Sequence, residues 1–249
     1  MRDVRVHVAG PLHADMTLAL PGQAAAHVAR VLRLGAGEAL TLFDGRGGEW
    51  AAVIDSVRGQ QVQVTLGAHR AIERESPLAV TLLQALARGE RMDWVLQKTT
   101  ELGVARVVPV VTERSVVQLD RERADKRHAH WQGIVVAACE QCGRNRLPEL
   151  LPPARLEAAC AATQVAMRLV LAPDASLPLA AALRPLAVTR PEIALLIGPE
   201  GGLSERELAV ANASGFVAVG LGPRVLRTET AAIAALGLLQ GLVGDLSGP

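Results

Sequence analysis

The stretch Ile197-Gly198-Pro199-Glu200-Gly201-Gly202-Leu203-Ser204 decides the fold, because an apolar strand here runs into a glycine-rich loop and then a helix. The preceding residues are apolar on both faces, as in a parallel strand that is covered by helices on each side. Ser204 and Glu207 have capping-box spacing, which predicts the helix start. The loop lacks both the GxxxxGK[ST] lysine and GxGxxG spacing, so a nucleoside triphosphate or a dinucleotide is not expected. A tight turn without a ligand stays open as the alternative.

Strands and helices alternate around this stretch, which predicts a parallel α/β sheet. The predicted strands are Leu78–Leu86, Val104–Val111, Met167–Ala172, Ile193–Ile197 and Val217–Leu221, and the helices include Met92–Leu102, Ala124–Cys142 and Ala231–Val243. In an open sheet of this kind the ligand crevice lies beyond the carboxyl ends of the strands. The candidate ligand loops are therefore Pro173–Ser176, Gly198–Gly202 and Gly222–Thr228.

The third of these loops belongs to the segment Leu221-Gly222-Pro223-Arg224-Val225-Leu226-Arg227-Thr228-Glu229-Thr230. It places two arginines, two threonines and a carboxylate directly before an apolar helix, a concentration of polar groups that indicates a site. The helix Ala231–Val243 is apolar almost all round, so it must be buried in its own domain or against another subunit.

The first part of the chain has a different pattern, which predicts a small β-barrel with one helix. Residues 69–77 are charged and end in proline, which is typical of a linker. We therefore predict one domain over residues 1–72 and a second over 73–249. The predicted strands are Val4–Val8, Thr17–Leu20, Ala39–Phe43, Trp50–Val57 and Gln61–Leu66, and the helix is Gln23–Leu34, with Arg30 and Arg33 on one exposed side.

Composition excludes several classes of protein. Half of the 249 residues are hydrophobic and 20% are charged, unlike a disordered chain. No apolar run reaches the ~18 residues of a membrane span, and the first ten residues lack a secretory signal, so we expect a cytoplasmic protein. With a net charge of +1, any contact with RNA must be local. Trp94 and Trp131 are expected in the core.

The cysteines are not expected to bind metal or to act in redox chemistry. Cys139 and Cys142 lie near the end of a predicted helix, whereas a redox CxxC belongs at a helix start, where the thiolate is stabilised. A structural zinc would need two further ligands, and Cys160, His128 and His130 follow no recognisable spacing. A packed helix face is the preferred interpretation.

Several motifs together resemble the SPOUT methyltransferases, specifically the RsmE-type bacterial enzymes that methylate N3 of a uridine in 16S ribosomal RNA. They are HVARVLR (27–33), LFDGRGGEW (42–50), MDWVLQKTTELGV (92–104), ACEQCGRNRLPE (138–149), GPEGG (198–202) and LGPRVLRTETA (221–231). The resemblance implies an N-terminal PUA-like β-barrel that binds RNA, a C-terminal α/β domain with a trefoil knot, and a homodimer. Periodicity alone predicts an ordinary doubly wound sheet, because knots are almost absent from proteins.

The resemblance also implies that three loops bind S-adenosylmethionine. This cofactor carries no phosphate, so it needs main-chain hydrogen bonds to its adenine and an apolar slot. The implied cofactor-binding residues are Leu171, Ala172, Pro173, Gly198, Pro199, Glu200, Gly201, Gly202, Leu221, Gly222, Val225, Leu226 and Thr230.

Methylation of uracil N3 requires the loss of a proton and a nucleophile that is held in line with the sulfonium methyl. We expect Arg227 to stabilise the charge that develops on the base, and Glu200 or Glu229 to accept the proton. The alternatives are that Glu229 only favours the helix N-terminus and that Glu200 only braces its loop.

Phosphate contacts are expected to be spread over many cationic side chains. The candidates are Arg30, Arg33, Arg88, Lys98, Arg144 and Arg224, each of which has the alternative of being a solvated surface charge. The expected partner is 16S ribosomal RNA in the assembled small subunit. Two other functions stay open: a SPOUT enzyme acting on another RNA position, and a catalytically silent RNA-binding protein of ribosome assembly.

Overall fold

The computed structural model describes residues 4–115, 121–184 and 192–246, which fall into two compact units. The first unit comprises Met1–Glu75 with Cys139–Leu147, and the second comprises Ser76–Ala138 with Pro148–Pro249. The division after residue 72 that the sequence predicts differs from this one by three residues and by the segment 139–147. A single boundary along the sequence cannot assign residues 139–147 to the first unit, because these residues follow others that belong to the second unit.

The first unit is built on a five-stranded sheet with the order β1-β3-β4-β5-β2. Strand β1 pairs parallel with β3, and the remaining pairs are antiparallel. Alternate residues of β4 and β5 are buried; Ile54 and Val64, for example, lie opposite each other in the core. The strands are β1 (Arg5–His7), β2 (Thr17–Ala19), β3 (Ala39–Phe43), β4 (Glu49–Arg58) and β5 (Gln61–Arg70).

The helix of this unit is shorter than the sequence predicts. It consists of α1 (Gly22–Ala26) and a π-helical turn over His27–Val31, with Val28 fully buried. The predicted end at Leu34 is wrong, because Arg33 has a φ of 55° and this left-handed conformation cannot continue a helix. Arg30 and Arg33 are both exposed, but Arg33 lies beyond the helix and does not share its face.

The second unit confirms the predicted parallel α/β sheet. Its strand order is β12-β10-β11-β6-β7-β8, β9 also pairs with β7, and every pairing is parallel. Its strands are β6 (Ala79–Ala85), β7 (Arg106–Val111), β8 (Glu149–Leu150), β9 (Ala154–Arg155), β10 (Met167–Leu171), β11 (Glu192–Ile197) and β12 (Val217–Val219). Its helices are α2 (Arg91–Glu101), α3 (Arg121–Cys142), α4 (Leu156–Ala162), α5 (Leu179–Leu183), α6 (Glu205–Ala213) and α7 (Thr228–Val243).

Two apolar clusters form the core of the second unit. Leu236 and Leu239 of α7 belong to one of them and are fully buried within this unit. Trp131 is buried as predicted, but the prediction for Trp94 is wrong, since 58% of its surface is exposed. Helix α2 buries Val95 and other residues on one face, and Trp94 falls on the opposite, solvent-facing side.

The strand order determines where the three predicted ligand loops meet. Strand β10 lies between β11 and β12, and all three are parallel, so the loops that follow them leave from the same edge of the sheet. The trefoil knot that the resemblance implies stays a prediction. None of the helices described here is long and apolar enough to cross a membrane.

Candidate functional site

A cavity of about 710 Å³ opens at the carboxyl edge of the second unit's sheet. Its lining combines glycine and proline backbone with aliphatic side chains and with the charged side chains of Arg91, Asp174, Glu200, Arg224 and Arg227. The predicted cofactor residues in this lining are Leu171, Ala172, Pro173, Gly198, Pro199, Glu200, Gly201, Gly202, Leu221, Gly222, Val225 and Leu226. Thr230 lies outside the lining, exposed in the first turn of α7, and Thr228 lines the cavity instead. The structure thus brings the three loops together around one space.

Two glycines give the central loop its shape. Gly202 has a φ of 69°, a conformation that disfavours other residues. A Cβ at Gly198 would lie only 3.1 Å from the backbone nitrogen of Leu203. The loop therefore folds tightly between β11 and α6, and its backbone faces the cavity.

The start of α6 confirms the predicted capping box. The Ser204 hydroxyl accepts a hydrogen bond from the Glu207 N–H (3.2 Å), and the Glu207 carboxylate accepts one from the Ser204 N–H (2.9 Å). The other carboxylate oxygen of Glu207 accepts a bond from the Glu113 N–H at 2.7 Å. The capping box thus also fixes the segment that follows β7.

The same segment holds the central loop through Arg114. Its Nη1 donates to the Gly201 carbonyl at 2.7 Å, and its aliphatic stem lies 3.4 Å from where a Gly201 Cβ would be. Sequence reasoning missed Arg114. Its position in the sequence could have identified it, because it follows the carboxyl end of a predicted parallel strand, where ligand-binding residues usually lie.

A buried chain of hydrogen bonds joins the central loop to the third loop. Gln84 Nε2 donates to the Thr228 hydroxyl (2.9 Å), which donates to the Gly198 carbonyl (2.8 Å). Gln84 and Thr228 are both buried. Thr228 therefore both begins α7 and positions the central loop, a role that sequence reasoning did not separate from that of Thr230.

A charge network surrounds Glu200, which lines the cavity. Its Oε1 accepts from the Arg88 N–H (3.1 Å) and from Arg91 Nη1 (2.5 Å). Desolvation acts to raise the pKa of Glu200, but the hydrogen bonds and the positive charge of Arg91 outweigh it and lower that pKa below its ordinary 4.5. Arg91 Nε also lies 3.9 Å from Glu229 Oε1. Arg91, which sequence reasoning missed, thus bridges both predicted carboxylates.

Arg224 and Arg227 add two exposed guanidinium groups to the cavity lining. Arg227 is the N-cap residue of α7, but its side chain makes no capping hydrogen bond. Its predicted role in the chemistry therefore does not compete with a structural role in the helix.

The predicted RNA contacts differ in their surroundings. Arg30, Arg33 and Arg88 are exposed, and Lys98 pairs with Glu101 at 2.9 Å. The structure contradicts the prediction for Arg144, which is only 4% exposed and pairs with Glu75 through both Nε and Nη2. A guanidinium enclosed in this way is a structural group of the first unit.

The cysteines occupy environments unlike those of redox thiolates. Burial raises the pKa of Cys139 to about 12 and that of Cys160 to about 11, so both thiols stay protonated at neutral pH. Cys139 lies near the end of α3, within the predicted packed face. Among the described residues, no three His, Cys, Asp or Glu side chains cluster in a way that could hold a metal ion.

Comparisons with known proteins agree with this arrangement. Residues 74–240 match the family model of an RNA methyltransferase domain, and residues 20–67 match that of an RNA methyltransferase PUA domain. The chain is 31% identical to ribosomal RNA small subunit methyltransferase E of Buchnera aphidicola, over 98% of both proteins. The protein of the same name from Bacillus subtilis is 30% identical over 90% of both.

Two solved structures are similar over almost their whole length. A putative methyltransferase from Legionella pneumophila, in complex with S-adenosylmethionine, is 43% identical with a TM-score of 0.94, covering 99% of this chain and 100% of that one. Ribosomal RNA small subunit methyltransferase E from Neisseria gonorrhoeae, bound to S-adenosyl methionine, is 36% identical with a TM-score of 0.89, covering 98% and 100%.

Proposed function

Because the chain belongs to the ribosomal RNA small subunit methyltransferase E family, we propose that it transfers a methyl group from S-adenosylmethionine to N3 of a uridine in 16S ribosomal RNA. The observation that carries the proposal is the single cavity that residues of all three predicted loops line. A tight turn without a ligand would not need that convergence.

The residues of the cavity fit the cofactor. Its volume lies within the roughly 300–1,000 Å³ of small-molecule sites, and its lining offers backbone groups and aliphatic surface. When bound, S-adenosylmethionine supplies an electrophilic methyl group on a cationic sulfur. The backbone of Gly198–Gly202 and Leu221–Leu226 would hold it, while Leu171–Pro173 would close the third side.

Arg227 is the proposed stabiliser of the reacting base. Its exposed guanidinium, on the cavity lining, can donate to a uracil carbonyl as negative charge develops there. The proposed proton acceptor is Glu229, which lies outside the cavity lining in the first turn of α7; its Oε2 is buried and has no hydrogen-bond partner among the described residues. Glu200 is tied to Arg91 and to the Arg88 N–H, which supports the bracing role.

We further propose a cytoplasmic homodimer that acts on the assembled small subunit. Leu242, near the end of α7, and Leu246, three residues beyond its end, are 49% and 59% exposed and would be covered in a dimer. Sedimentation of the purified protein tests whether it is a dimer. A monomer at micromolar concentration would contradict it.

The function is tested by incubating the protein and labelled cofactor with unmodified small subunits and, separately, with free 16S RNA, followed by mass mapping. We expect label on N3 of one uridine, with the subunits as the better substrate. Label at another atom or in another RNA would favour the second SPOUT function. A folded protein that binds no cofactor in calorimetry would favour the silent protein.

The Arg227→Ala variant tests the proposed chemistry. We expect methyl transfer to fall about 10²–10³-fold, as for the loss of one donor to a developing oxyanion, while the cofactor Kd stays the same. Turnover equal to wild type would remove Arg227 from the mechanism.

A further inference from the structure

We propose that an arginine face on the first unit, made by Arg46, Arg70, Arg74 and Arg146, binds the phosphate backbone of the RNA. The proposal rests on the proposed function and names the surface through which the RNA is held. The face is distinct from Arg30 and Arg33, the contacts in this unit that the sequence predicts. Three separate segments build it: the turn after β3, the end of β5 with the residues that follow it, and the loop after α3.

The buried carboxylate of Glu49 partly neutralises the arginines of the face from the interior of the unit. Its side chain is 2% exposed and forms ion pairs with Arg5 (2.5 Å), Arg70 (2.9 Å) and Arg74 (3.5 Å). One carboxylate thus accompanies three guanidinium groups. The side chains of Arg70 and Arg74 are 44% and 47% exposed, so the excess positive charge faces solvent while the carboxylate is inside.

The other half of the face is held through the backbone of Arg46 and the side chain of Arg146. Arg46 and Arg146 are joined by an antiparallel β-bridge, and both are exposed. The guanidinium of Arg146 lies over Gly47, where a Cβ would come within 2.5 Å of its Nη2. Glu73 pairs with this nitrogen at 3.3 Å and also accepts a bond from the Gly48 N–H at 2.9 Å.

Buried hydrogen bonds hold the segments together. Asn145 is fully buried, and its Nδ2 donates to the Ile72 carbonyl (2.6 Å) and to Glu49 Oε2 (3.2 Å). Arg74 Nη1 donates to the Gly143 carbonyl at 3.0 Å. Residues that the sequence predicts to be a linker are therefore tied into the unit, and the guanidinium groups of Arg70, Arg74 and Arg146 are preorganised.

The chemistry of the face matches an RNA backbone. Planar guanidinium groups donate in pairs to phosphate oxygens, and backbone contacts are spread over several such groups. A set of fixed arginines with an internal counter-charge can therefore bind successive phosphates at a small cost in side-chain entropy.

The test uses Arg46→Gln and Arg146→Gln, singly and combined, with Arg58→Gln as the matched control. Arg58 is exposed and ends β4, the strand that Glu49 begins, so the control removes the same charge from the far end of the same strand. Affinity for unmethylated small subunits is measured over a series of salt concentrations. We expect each face variant to lower the salt slope by about 0.7–0.9, the value for one lost phosphate contact, and Arg58→Gln to leave it unchanged.

Methyl-transfer kinetics give a second readout. The face variants are expected to raise the KM for subunits severalfold without changing kcat or the cofactor Kd, and their thermal unfolding should match wild type. Wild-type affinity and slope in the double variant, or an equal loss in Arg58→Gln, would overturn the proposal. A wild-type protein that binds subunits but methylates no uridine would instead contradict the proposed function, since the salt series still tests the face.

Discussion

Glu200 illustrates how its neighbours change the chemistry of a single residue. It lines the cavity, unlike Glu229, but Arg91 and two backbone N–H groups lower its pKa. A carboxylate with a lowered pKa is a poor general base near neutral pH, where the best base has a pKa close to the working pH. The position of Glu200 is suitable for a general base, but its lowered pKa is not. Its hydrogen bonds indicate instead that it holds the loop in place.

Glutamine variants of the two carboxylates separate these roles. Glu200→Gln removes a partly exposed ion pair worth up to about 1 kcal/mol, so we expect methyl transfer to fall no more than about fivefold. Glu229→Gln should lower it about 10²–10⁴-fold if Glu229 accepts the proton. Single-turnover rates across pH provide the measurement. A large loss and an altered pH profile in Glu200→Gln would instead identify Glu200 as the base.

Arg114 contacts the central loop without lining the cavity. Arg114→Ala removes the hydrogen bond to the Gly201 carbonyl, worth about 1 kcal/mol, so the cofactor Kd should rise about fivefold with kcat nearly unchanged. Calorimetry measures the Kd. The control is Arg206→Ala, another exposed arginine next to Glu113, which should bind the cofactor like wild type. Equal Kd values in both variants would contradict the positioning role.

At the level of elements, Thr228 in the first turn of α7 joins the third loop to the central loop by hydrogen bonds. Thr228→Val keeps the shape but leaves the Gln84 amide and the Gly198 carbonyl without their buried partner, at a cost of about 1–3 kcal/mol. We expect a lower unfolding temperature and weaker cofactor binding, as measured by thermal denaturation with and without S-adenosylmethionine. Thr228→Ser retains the hydroxyl and should recover most of both. No recovery would mean that the methyl group, rather than the hydroxyl, matters here.

Elements with local signals were predictable, and those that depend on distant partners were not. The buried strand before the central loop and the capping box of α6 follow from adjacent residues, and both are confirmed. In contrast, β5 continues to Arg70, inside the predicted linker, because it pairs with the start of β4. The burial of Arg144 likewise depends on Glu75, 69 residues away in sequence. Charge patterns identify arginines, but only the fold decides which of them face solvent.

At the scale of the whole molecule, chain order and spatial grouping differ. Residues 139–147 lie within the segment that matches the methyltransferase family model, yet they belong to the first unit. Arg5 and Arg70 meet Asn145 around the carboxylate of Glu49, so this buried group joins the early and late parts of the unit. The stability of the first unit should therefore depend on the ionisation of Glu49.

The pH dependence of unfolding tests this dependence. Desolvation acts to raise the pKa of Glu49, but the bonds from Arg5 and Asn145 and the charges of Arg5 and Arg70 outweigh it and lower the pKa. A lowered pKa gives stability that is present above the ordinary value of 4.5 and is lost as the pH falls through the folded-state value. Glu49→Gln should thus lower the free energy of unfolding by about 3–5 kcal/mol at pH 7 and flatten its decline in acid.

Urea denaturation over a pH series from 7 down to about 3 measures the effect, followed through Trp50 fluorescence in a background that carries Trp94→Phe and Trp131→Phe, the two tryptophans of the second unit. Trp50 is buried in the first unit, so its signal reports on that unit. The control is Glu149→Gln, which removes an exposed ion pair with Arg106 and should cost less than about 1 kcal/mol. Because the cavity residues all belong to the second unit, the cofactor Kd of Glu49→Gln should equal that of wild type. An unfolding free energy that falls as steeply in acid as wild type would show that other carboxylates, and not Glu49, control the acid stability of the first unit.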